Sequence, residues 1–243
     1  VFGGGAGFTP KFERMWNTIG SHKPEALFML GDNVYIDHPE VREVGQYCYY
    51  RRQSRPEWRR LTASVPVYAI WDDHDFATND SHGGAAVDIP TWKPRVWGDF
   101  TRQWPNPEYG GAGKQPGCYF THRFGKRVEF FFLDTRYYRD PSAKEMLGPV
   151  QLSWLKEQLL GSAADFKVIC SSVPITPKVK PGSLDTWDGY NAEREDILRF
   201  IAEKKIGGVF VLAADRHRSD AWKNKRPGKA YPIYEFMSSR LTN

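Results

Sequence analysis

Three apolar runs of this chain end in residues that bind hard cations. Leu27-Phe28-Met29-Leu30 runs into Gly31-Asp32-Asn33-Val34-Tyr35, and Val65-Pro66-Val67-Tyr68-Ala69-Ile70 into Trp71-Asp72-Asp73-His74-Asp75, with Asn79-Asp80 just beyond. Val209-Phe210-Val211-Leu212 leads to Asp215-Arg216-His217. Carboxylate, phenol, carboxamide and imidazole are the donors of hard-cation sites, and the carboxyl edge of a parallel sheet is where α/β folds gather ligand-binding groups. Three such strand ends together point to a metal-dependent hydrolase acting on phosphate esters.

Each group has a role that its chemistry suits. Gly31 lets the chain turn sharply off a strand so that Asp32 points into a cleft, where its two oxygens can bridge two cations. Tyr35 is placed to offer a phenolate to the same ion, which suits ferric iron. Asp73 suits a metal ligand, and Asn79 offers a neutral carbonyl oxygen. His74 beside a bound phosphate can protonate the leaving oxygen or stabilise the transition state. Asp72 or Asp75 is expected to orient it. Asp215 and His217, one residue apart, would lie on the same side of an extended chain. The run Phe130-Phe131-Phe132-Leu133-Asp134 is followed by Arg136 and Arg139, whose guanidinium forks match phosphate oxygens. The plainer alternative is that Asp134 pairs with Arg136 and pins a loop. His22, His38, His82 and His122 read as surface or core.

The elements that must hold these groups follow from pattern. Strands are predicted at 26–30, 65–70, 118–124, 128–133, 166–171, 208–212 and 233–236. Helices are predicted at 10–21, 39–53, 150–160 and 192–204. The alternation implies βαβ units and a largely parallel α/β sheet, made mixed by a hairpin around Gly125. Residues 1–243 read as one domain, with 76–115 a loop-rich insertion over the site whose aromatics would gate larger substrates. Gly3-Gly4-Gly5-Ala6-Gly7 reads as a flexible cleft loop with no strand before it.

Composition excludes other classes. At 40% hydrophobic and 15% aromatic residues the chain is not disordered, and no apolar run approaches the ~20 residues of a membrane span. The net charge of +5 favours anionic ligands. The knot Arg51, Arg52, Arg55, Arg59, Arg60 reads as a solvated helix face. Cys48, Cys118 and Cys170 have no zinc-site spacing, and Cys170 reads as buried. No G-x-S-x-G, Walker loop or H-E-x-x-H is present.

The ordered motifs Gly31-Asp32-x-x-Tyr35, Trp71-Asp72-Asp73-His74-Asp75 with Asn79-Asp80, Leu133-Asp134-Thr135-Arg136-x-Tyr138-Arg139, Leu147-Gly148-x-x-Gln151-x-x-Trp154-Leu155 and Asp215-Arg216-His217 resemble the alkaline phosphatase D family of calcineurin-like metallophosphoesterases. The resemblance covers residues 28–241. It implies a four-layer α-β-β-α sandwich of two mixed sheets, here trimmed at both ends, and a periplasmic or secreted location. It also implies two or more metal ions, Fe3+ with Ca2+, or Zn2+, Mg2+ or Mn2+. By position, Asp32 would bridge the metals, Tyr35 would bind iron, and Asp215 and His217 would complete the cluster. Asn79 or Asp73 would hold the second metal, and His74 would be the catalytic histidine. The chain departs from the family in starting near Gly3-Gly4-Gly5, where a strand-end Cys or Asp is expected, and in carrying Ala214 before the Asp-x-His.

The reading that results is phosphomonoester or phosphodiester hydrolysis by a metal-activated hydroxide, with Arg136 or Arg139 neutralising charge on a small phosphate-ester substrate. A second reading is a non-catalytic phosphate-ester-binding member that lacks its first ligand strand. A third takes the arginine knot as a nucleic-acid surface, although no nucleic-acid partner is expected.

Overall fold

In the computed structural model, which describes residues 1–228 and 231–243, the described strands form two sheets. The first is parallel throughout, in the order β1 (Phe2–Gly3), β2 (Leu27–Leu30), β3 (Val67–Ile70). The second has six strands in the order β4 (Phe120–Phe124), β5 (Val128–Phe132), β6 (Phe166–Cys170), β7 (Val209–Ala213), β9 (Ile233–Ser238), β8 (Ser219–Asn224). β5, β6, β7 and β9 run parallel, and β4 and β8 are antiparallel edges. Only this second sheet is mixed. In the first, helices lie between successive strands, which is the connection that parallel neighbours need.

The two faces of the second sheet follow from the period of two along a strand. Phe130 and Phe132 of β5 pack on Phe28 of β2, with ring centroids 4.5 and 5.4 Å apart. Phe131 and Leu133 point the other way, into a cluster with Trp154, Leu155 and Leu159 of the helix Gly148–Gly161 and Ile197, Leu198 and Ile201 of the helix Asn191–Glu203. On the first sheet, Trp16, Trp58, Leu61 and Phe100 come from the helices Met15–Ser21, Pro56–Thr62 and Lys93–Gln103.

The glycine-rich start is structured, contrary to the sequence reading. Phe2–Gly3 is a strand, Gly4 bridges to Ser239, and residues 3–7 are buried. At Gly4 the sheets approach so closely that a Cβ would lie 2.6 Å from the Ala214 Cβ. Gly31, at φ 105°, leaves similar room for Asp72. The 76–115 segment also holds more structure than expected. Its helix Lys93–Gln103 is anchored by Val96 and Phe100. Its aromatics turn inward: Trp97 packs on Trp71 (5.6 Å), Trp92 on Phe76 (5.2 Å), and Trp104 is buried.

The carboxyl ends of β2, β3 and β7 therefore meet across the seam between the sheets. No described helix is long and apolar enough to cross a membrane.

Candidate metal centre

A cleft of about 310 Å³ opens at that seam, lined by Asp32, Asp73, His74, Asn79, Asp80, Lys180, Asp215, Arg216 and His217. Asp32 follows β2 with φ at 51°, which swings its side chain off the strand direction. Its Oδ2 accepts a hydrogen bond from the Tyr35 hydroxyl (3.0 Å), and that hydroxyl lies 3.3 Å from His217 Nε2. The Tyr35 ring stacks on the His74 imidazole at 4.2 Å. Donor atoms of Asp32, Asp73 and His74 all fall within 4.8 Å of one another, as do those of Asp73, Asp80 and Asp185. Asp75 ties the two strand ends together from behind: its carboxylate accepts from the backbone N–H of Asn33 (3.0 Å), Val34 (3.3 Å) and Asp72 (3.0 Å).

The electrostatics suit a cation. Burial first, then the charges of Asp72, Asp73 and Asp75, lift the Asp32 carboxyl well above its usual range, against the hydrogen bond from Tyr35. Burial and the charges of Asp72 and Asp185 push Asp215 up to about 8. Burial raises Asp72 to about 6 despite the Arg136 guanidinium beside it. Burial would lift Asp73 as well, but Arg136, His74 and the Asp80 N–H hold it below the ordinary carboxylate value. Burial, followed by the charge of Asp32, raises the Tyr35 phenol. Burial and the positive charge of Arg240 lower His217, which favours the neutral imidazole that ligates metals. Among the described residues, Asp32 Oδ1, Asp72 Oδ2 and Asp215 Oδ2 are buried with no hydrogen-bond partner. Buried carboxylate oxygens without donors are costly, and a bound cation satisfies them. The donor set therefore fits a metal centre.

A family model for the PhoD-like phosphatases matches residues 2–243. The chain belongs to the PhoD-like phosphatase family. It is 27% identical to alkaline phosphatase D of Bacillus subtilis (strain 168) in an alignment 249 positions long, which covers 83% of this chain and 42% of that protein. A solved structure of PhoD superposes with a TM-score of 0.83 at 21% identity, covering all of this chain and 56% of that one. The chain thus spans about half the length of these relatives.

Within this PhoD-like fold, the structure brings Asp32, Tyr35, Asp73, His74, Asn79, Asp215 and His217 to one cleft. It does not do so by the geometry expected for Asp215 and His217. Both have left-handed backbones (φ 72° and 51°) in a loop after β7, so the Asp-x-His pair is delivered by turns rather than by an extended strand. His74 is oriented by neither Asp72 nor Asp75. Its Nδ1 meets Asp37 Oδ1 at 2.5 Å, and Asp37 itself has φ 55°.

Arg136 and Arg139 do not line the cleft. Both are fully buried, Arg136 on Asp72 (2.6 Å) and Asp185 (2.9 Å), Arg139 on the Thr135 carbonyl (2.7 Å) and Asp185 (3.3 Å). Asp134 pins the loop, but through backbone N–H groups of Arg136 (2.9 Å) and Tyr137 (2.8 Å) and the Trp71 indole (2.8 Å). The cations on the cleft wall are Lys180, held by Asp185 (3.0 Å) and Asp80 (3.5 Å), and Arg216. Neither was singled out in the sequence. The arginine knot loses its centre as a nucleic-acid patch, because Arg52 is buried on Glu13 at 2.6 Å.

Proposed function

We propose that this chain hydrolyses phosphate esters at a metal centre held by Asp32, Tyr35, Asp73, Asn79, Asp215 and His217. The observation that carries the proposal is the convergence of these donors in one cleft, with buried carboxylate oxygens of Asp32 and Asp215 that no described hydrogen-bond donor satisfies. Oxygen donors with one phenol and one imidazole suit hard cations, Fe3+ beside Ca2+, with Zn2+, Mg2+ or Mn2+ as substitutes. Such cations, when bound, polarise phosphoryl oxygens and lower the pKa of a water nucleophile. A four-layer helix–sheet–sheet–helix arrangement belongs to the same proposal.

The chain's own residues do the rest. Asp37 holds His74 by Nδ1, and the Tyr35 ring packs on the imidazole face, which leaves Nε2 to give a proton to the departing ester oxygen. Lys180 and Arg216 meet the non-bridging phosphate oxygens, the task that the sequence suggested for Arg136 and Arg139. The two buried arginines instead keep Asp72, Asp73 and Asp185 ionised and in place.

The test is release of nitrophenol from p-nitrophenyl phosphate and bis-p-nitrophenyl phosphate before and after chelation. Turnover of either ester that disappears on chelation and returns with added metal supports the proposal. No turnover by metal-replete protein sinks it, and turnover indifferent to chelation removes the metal from it.

A further inference from the structure

We propose that Asn243 is part of the metal centre, as the residue that positions the Tyr35 hydroxyl and the His217 imidazole as donors; this rests on the metal reading above. Its carboxamide Nδ2 donates to the Tyr35 hydroxyl at 2.8 Å and lies 3.3 Å from His217 Nε2. Tyr35 follows β2 and His217 follows β7, so one side chain touches a donor from each sheet.

Asn243 is delivered there by a backbone ladder. Gly4 N–H donates to the Ser238 carbonyl (3.1 Å), Leu241 N–H to Gly4 (3.1 Å) and Thr242 N–H to Gly5 (3.2 Å). The Thr242 hydroxyl donates to the Gly7 carbonyl at 2.7 Å and accepts from buried Arg52 at 3.2 Å, and Thr242 itself is fully buried. Residues 238–242 are thus zipped to residues 4–7. The glycine-rich run gains a purpose, because a Cβ on Gly7 would meet Asn243 Oδ1 at 3.0 Å and the Tyr35 ring at 3.1 Å. A side chain at position 7 would crowd both Asn243 and the phenol ring. Hydrogen bonds from outside the donor set fix ligand orientation, and losing one weakens metal binding about 10–100-fold.

The experiment titrates Mn2+ into metal-depleted wild type, Asn243→Ala and Asp32→Asn by isothermal calorimetry, with thermal melting of each metal-free protein. The expected result is Mn2+ binding by the wild type, its loss in Asp32→Asn, and binding weakened at least tenfold in Asn243→Ala without a change in metal-free melting. If Asn243→Ala lowers that melting point, Asn243→Leu, which keeps the volume but has no amide, is judged by the same tenfold criterion. Wild-type affinity in a well-folded Asn243 variant, with Asp32→Asn dead, overturns the role of Asn243 and leaves the metal reading standing. A wild type that binds no Mn2+ overturns both.

Discussion

Replacing Asp185 by Asn tests the buried charge network behind the cleft. Asp185 faces two guanidinium groups that are fully buried, and its Oδ2 also meets Lys180. Burial would raise its carboxyl, but Arg136, Arg139 and Lys180 outweigh that and pull it far below the usual range, so the folded chain holds the carboxylate. Asn keeps the shape and one acceptor and removes the charge. Arg136 retains Asp72, but Arg139 is left with neutral acceptors, among them the backbone carbonyls of Thr135, Leu184 and residue 185 itself. Removing one partner of a buried ion pair costs about 3–5 kcal/mol. In a chain of this size each kcal/mol moves the melting point by about 2–4 °C, so a fall of roughly 6–20 °C is expected. The assay is far-UV circular dichroism melting of metal-depleted protein, which keeps ligand linkage out of the comparison. Arg139→Met in the same background should recover part of the loss, since it removes the charge left alone. A variant that melts within about 2 °C of wild type would refute the reasoning, because a neutral amide would then serve these arginines as well as the carboxylate.

Three further outcomes follow from the geometry. His74→Ala should lower kcat about 10²–10⁴-fold, and Asp37→Asn should lower it less; equal rates in both variants and wild type would remove His74 as the proton donor. Lys180→Ala should raise KM more for a doubly charged phosphomonoester than for a diester and weaken inhibition by inorganic phosphate; unchanged inhibition would exclude contact with phosphate. Burial lifts Glu193 to about 7 against hydrogen bonds from the Met146 and Leu147 N–H groups, so between pH 4.5 and 7 the folded chain holds a proton that the unfolded chain releases. That stabilises the fold at the acid end by on the order of 3 kcal/mol, lost as pH rises through 7. The melting point of wild type minus that of Glu193→Gln should fall between pH 5 and pH 8, and a flat difference would contradict the assignment.

The residues that gather at the cleft were legible because strand ends announce themselves. Leu27–Leu30, Val67–Ile70 and Val209–Ala213 are apolar runs that break into polar residues, and a parallel sheet brings such ends together. What stayed hidden depends on distant partners. Arg136 carries the chemistry of a phosphate ligand, yet Asp72 lies 64 residues away and claims its Nε. Asn243 meets Tyr35 across 208 residues, and no local pattern encodes that. Asp37, two residues past Tyr35, was within reach of inspection, but its left-handed backbone gives no periodic signal. Ser219–Asn224 is an edge strand of mostly polar residues without an apolar run, and Phe2–Gly3 is too short to show a period.

The cleft straddles the seam, with Asp32, Asp73 and His74 on one sheet and Asp215 and His217 on the other. On the proposed function, a cation gripped from both sides would act as a rivet, and its affinity would become cohesion between the two halves of the core. Neither sheet alone presents the full set. On that reading the metal-free molecule should open along this line first, and amide protons flanking Gly4 and Ser239 should exchange with solvent before those of the helices behind.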